Sequence, residues 1–145
     1  MGSAQIDVPA WVEPSRTQVQ DLRTAASAEA GRSELARGCF AAIDWVLGPD
    51  EPDEEQARAE ATATAKHPTG YFRGMSDTLA WLFGLLPEPW HLEIPRRNPD
   101  GTLLTADQIY QEFLDAHSWT PTPEQRDKAR HEADVTAVRW ARIFG

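Results

Sequence analysis

Apolar residues recur along most of this chain at three- and four-residue intervals, the spacing of one face of an α-helix. Leu35, Cys39, Ile43 and Val46 form one stripe, with Ala36, Phe40 and Leu47 beside it. Gly48-Pro49 closes that stripe, because glycine accepts the left-handed conformation after a helix and proline cannot extend one. A second stripe, Phe72, Met75, Leu79 and Leu82, runs from about Tyr71 to Phe83 and stops at Gly84. Ser15 with Gln18 fits a capping box and opens a helix carrying Val19, Leu22 and Ala26, with Gly31 placed to break it. Thr105 with Gln108 repeats that start before Ile109, Tyr110, Phe113 and Leu114. Thr122, Pro123 and Gln125 repeat it again before Ala129, Ala133, Thr136, Trp140 and Ile143. Between the two strong stripes, Pro52 suits a first helical turn, and Asp53, Glu54 and Glu55 complement the positive end of the helix dipole. An Ala-rich helix follows to about Lys66 and ends at His67-Pro68-Thr69-Gly70.

Two segments depart from this rhythm. Residues 1–14 hold Pro9 and Pro14 and read as an extended arm, with Ile6, Val8, Trp11 and Val12 available for docking. Residues 85–104 hold Pro87, Pro89, Pro95 and Pro99, which forbid a regular helix. Asn98-Pro99-Asp100-Gly101 is a turn sequence, and residues 91–94 and 102–104 are placed to pair around it as a short hairpin. The pattern predicts an all-α fold: an N-terminal arm over 1–14 and a single helical domain over 15–145. That domain has about five helices and one Pro-rich loop.

The two strong stripes echo each other. Residues 37–48 read RGCFAAIDWVLG and residues 73–84 read RGMSDTLAWLFG, aligning without gaps at an offset of 36. Two amphipathic helices with glycine caps resemble each other for generic reasons, which accounts for the final glycines. It does not account for the shared Arg-Gly starts or the register of Trp45 and Trp81, which a duplicated helix would explain. On that reading both indoles are buried near each other on crossing helices. No third copy follows at the next offset, and two are too few for a solenoid.

These Trp-x-x-Gly helix ends sit in a chain with 12 arginines and 2 lysines. They resemble the small acidic proteins of unknown function encoded by actinobacterial phages and mobile elements. The resemblance implies an accessory role rather than metabolic catalysis, and it carries over no functional residue.

Charge narrows the partner class. The net charge is −9, with 19 acidic and 9 basic residues over 1–121 and 4 acidic and 5 basic over 122–145. Such a field disfavours nucleic acid and anionic membranes and favours a protein partner with a basic surface. One cysteine, Cys39, permits no internal disulfide. With no basic-then-apolar leader and no membrane-length apolar run, that places the chain in the cytoplasm.

Residue types that carry chemistry are present but scattered. His67, His91, His117 and His131 do not pair at helical zinc spacing, and His91 with Glu93 on one strand face would give two ligands at most. No metal or cofactor is implied. Cys39 lies on an apolar stripe and reads as packing. Asp44 and Asp77 could act as an acid–base pair only if burial raised one pKa. Arg126, Lys128 and Arg130 near the start of the last helix are diluted by Glu124, Asp127, Glu132 and Asp134. The acidic run from Asp50 to Glu60 admits two readings, a DNA mimic or a solvated helix start. No catalytic motif is present, so the leading expectation is a non-catalytic protein-binding accessory or inhibitor protein. Its binding surface is placed at Trp90 with Arg96 and Arg97, near Leu86 and Leu92, because an indole beside an arginine pair makes a hot spot. Trp11 on the arm is the next candidate. The rival readings are a homo-oligomeric structural protein and a small enzyme with a non-standard site.

Overall fold

The computed structural model describes residues 8–67, 69–89, 91–116 and 120–145. Among them are six α-helices and no strand: α1 Arg16–Glu29, α2 Glu34–Val46, α3 Glu54–Ala65, α4 Gly70–Leu82, α5 Ala106–Asp115 and α6 Pro123–Phe144. The fold is all-α, and its six described helices are close to the expected count of about five. The chain divides into two compact units, Met1–Ile94 and Pro95–Gly145.

Capping chemistry explains the helix starts. The side chains of Ser15, Asp53, Thr105 and Thr122 each accept the backbone N–H three residues on, while a glutamine at that position reaches back to the cap. Three of these boxes match the sequence expectation. The fourth corrects it: Asp53 is the cap, so Pro52 lies outside α3 rather than in its first turn. Ser33 caps α2 with its side chain on the Ala36 amide at 3.2 Å, so the chain leaves α1 and starts afresh around Gly31.

In the first unit α1 packs on α2, α3 on α4, and α2 on α4. The echo extends into three dimensions. α2 and α4 are both 13 residues long and start and end at the offset of 36, with caps at Ser33 and Thr69. Five buried pairs are equivalent at that offset: Gly38 with Gly74, Cys39 with Met75, Ala42 with Thr78, Ile43 with Leu79, and Val46 with Leu82. The glycines set the crossing. A Cβ on Gly38 would overlap the Tyr71 carbonyl, and a Cβ on Gly74 would overlap the Leu35 carbonyl. Each contact is the image of the other, so the helices cross with local two-fold symmetry at the closest approach of their backbones. Side-chain size then breaks the symmetry. Cys39, Ala42 and Val46 are smaller than their equivalents Met75, Thr78 and Leu82.

The tryptophans of the echo are not equivalent. Trp81 is 5% exposed, whereas Trp45 is only half-buried. The helix ends differ too. After α4, Gly84 takes φ +77°, its N–H reaches the Trp81 carbonyl at 2.9 Å, and the Leu85 N–H reaches Ala80 at 2.9 Å, a Schellman close. After α2 the expected left-handed glycine does not form. Pro49 occupies the position of Leu85 and has no N–H to donate, so Gly48 makes only the bond to Trp45, at 3.3 Å, without a positive φ.

The arm docks from residue 8 onward; Ile6 lies outside the described residues. The Glu13 N–H donates to Leu82 at 2.8 Å, and Val12 is buried. Trp11 stacks on Phe83 at 4.8 Å between centroids and donates its indole N–H to the Pro52 carbonyl at 3.3 Å. The Arg58 guanidinium also lies over the Phe83 ring, at 4.6 Å.

The second unit is one helical hairpin. α5 packs on α6, whose Ala129, Ala133 and Trp140 are buried. The expected pairing of 91–94 with 102–104 is replaced by an isolated antiparallel bridge between Arg97 and Leu103, with Asn98 donating to Thr102 at 2.7 Å and Leu104 to Arg96 at 3.2 Å. Pro95 precludes a continuous strand through 91–98, and the partner of 102–104 is therefore 96–98.

Candidate interaction surfaces

The turn at 96–104 is built almost wholly from its own polar groups. Gly101 sits at φ +90° and donates to the Asn98 carbonyl at 2.8 Å. Asp100 accepts the Thr102 hydroxyl at 2.6 Å and the Thr102 amide at 3.0 Å. Those bonds hold its carboxyl below the usual range. Asn98 and Gln108 exchange side-chain amide bonds at 3.3 and 2.7 Å, tying the turn to the start of α5.

Both arginines of the expected partner surface make contacts within this unit. Arg96 binds Glu112 through Nε at 2.8 Å and Nη2 at 2.7 Å, and its guanidinium lies 5.2 Å from the ring centroid of Trp140. Trp140 is 1% exposed, so Arg96 acts as its cover. Arg97 donates to the Gly101 carbonyl at 2.8 Å and holds the turn. Trp90, the third member of that expected surface, lies outside the described residues, as do His117 and Trp119. Trp11 is half-buried, with its face on Phe83 and its N–H bonded.

The other chemical candidates are distributed over separate places. Asp44 pairs with Arg23 at 3.2 Å, and Asp77 lies 3.9 Å from Arg73. Both are helix-surface ion pairs. Cys39 is fully buried, and burial pushes its thiol up to about 12, opposed in part by the Thr78 hydroxyl. Burial lowers the pKa of His91, which faces Asp77, the Leu35 backbone and Arg73. Arg130 is bound to Asp107 at 2.6 Å and to Asp134 at 3.5 Å and lies over Tyr110 at 5.6 Å. The basic start of α6 is thus partly neutralised within its own unit. Among the described residues, no three His, Cys, Asp or Glu side chains are grouped to hold a metal ion. No described helix is long and apolar enough to cross a membrane.

Among the described residues two apolar surfaces stand out, and of their exposed side chains only Leu86 was named from the sequence. On α6, Val135 is 47% and Val138 68% exposed, on a face bordered by His131, Asp134, Arg139 and Arg142. They lie off the stripe that buries Ala129, Ala133 and Trp140, and only a second stripe drawn through residues 131, 135, 138 and 142 would have marked them. α5 adds to this. Its Ile109, Tyr110, Phe113 and Leu114 are all half-buried, and the helix has no buried residue. The other surface is Leu85 and Leu86, both exposed just after α4.

No known protein family, curated protein or solved structure matches this chain.

Proposed function

We propose that this protein acts without catalysis, by docking on another macromolecule as an accessory or inhibitor protein of phage or mobile-element type. The observation that carries this reading is the unfinished core of the second unit: α5 buries none of its apolar residues fully, and α6 holds Val135 and Val138 in the open. Apolar side chains held in the open on a helix supply the anchors of a helix-face interface. The first unit holds 15 acidic and 7 basic residues, which supports a partner with a basic surface and an approach steered by charge.

The test compares proteins captured from the native host by the wild-type chain and by two double variants. Val135→Asp with Val138→Asp should lose the specific partner while the melting temperature holds. Trp90→Ala with Arg97→Glu tests the surface expected from the sequence in the same way. A partner retained by both variants removes both surfaces. Association with the captured partner should slow as salt shortens the Debye length below about 10 Å; salt-independent association would leave apolar anchoring alone.

A homo-oligomer is the second reading, and the charge of the second unit favours it. With 8 acidic and 7 basic residues it is nearly neutral, so two such surfaces meet with little repulsion. The mass in solution decides between the readings: a monomer at high concentration leaves only a different partner.

A further inference from the structure

We draw no further inference here: the strongest candidate, the exposed Leu85–Leu86 pair in the surface turn that follows α4, is an apolar patch with nothing in the structure to show what covers it.

Discussion

The first unit contains two helical hairpins and the second contains one, and their cores differ accordingly. α1–α2 and α3–α4 close on each other through α2 and α4, so each hairpin supplies the surface the other needs. α2 and α4 together bury twelve residues, whereas α5 buries none. Helix propensity and capping do not explain this, since α5 has a complete capping box and a clear apolar stripe. The missing ingredient is a second hairpin. Two helices cover only part of each other's apolar surface, and the α5 stripe is accordingly half-buried.

Substitutions can break this comparison or sharpen it, and the largest effects belong to the buried indoles. Trp81→Ala and Trp140→Ala should each cost about 3–5 kcal/mol in urea unfolding. Trp45→Ala, at the equivalent position of the echo, should cost about 1–2 kcal/mol because its ring is only half-buried. Equal costs for Trp45 and Trp81 would restore the symmetric picture that the structure denies.

The glycine crossing comes next and is decided by sign. Alanine gains about 1 kcal/mol over glycine in a helix interior, while forcing a Cβ into a backbone carbonyl costs about 1–3 kcal/mol or more. Because the added Cβ meets backbone rather than a flexible side chain, the upper end of that cost applies, and Gly38→Ala and Gly74→Ala should both destabilise by about 2 kcal/mol net. A stabilisation by either variant would mean that α2 and α4 do not meet at these residues. Gly31→Ala, where an added Cβ meets nothing within 4 Å, is the neutral control. Gly84→Ala should cost about 1 kcal/mol for its left-handed backbone.

Cys39 reports on the same crossing through pH. Its folded-state pKa is raised from 9.0 to about 12, so the thiol's contribution is fully present below pH 9 and is lost as pH rises from 9 toward 12. Unfolding curves should show stability falling across that window, less steeply in Cys39→Ala. Alkylation of the native thiol at pH 8 should be negligible until denaturant opens the unit; rapid native labelling would place Cys39 outside the core. The smallest effect is expected from Val135→Asp with Val138→Asp, within about 0.5 kcal/mol, since both side chains are already largely in water.

Local chemistry was legible in the sequence, and partnership was not. The boxes at Ser15, Thr105 and Thr122 and the stripes of α2 and α4 follow from spacing alone. The capping role of Asp53 was hidden because aspartate early in a helix also suits the dipole, and Pro52 offered a competing start. The fates of Gly48 and Gly84 depended on the next residue: proline against leucine decides whether the last bond of the close can form. For the candidate surface, spacing does not name the partners of Arg96, since Glu112 lies 16 residues away and Trp140 lies 44 away. Ion pairs and ring contacts between residues distant in sequence leave no periodic trace. Trp11 showed the same limit, its indole bond crossing 41 residues to Pro52.

Native-state hydrogen exchange, resolved by residue, tests the contrast between the two units most directly. Amides on the facing sides of α2 and α4 should open only with global unfolding, while α5 amides should exchange through openings of much lower free energy. Protection in α5 equal to that in α4, in the isolated monomeric protein, would contradict the account of a closed first unit and an unfinished second.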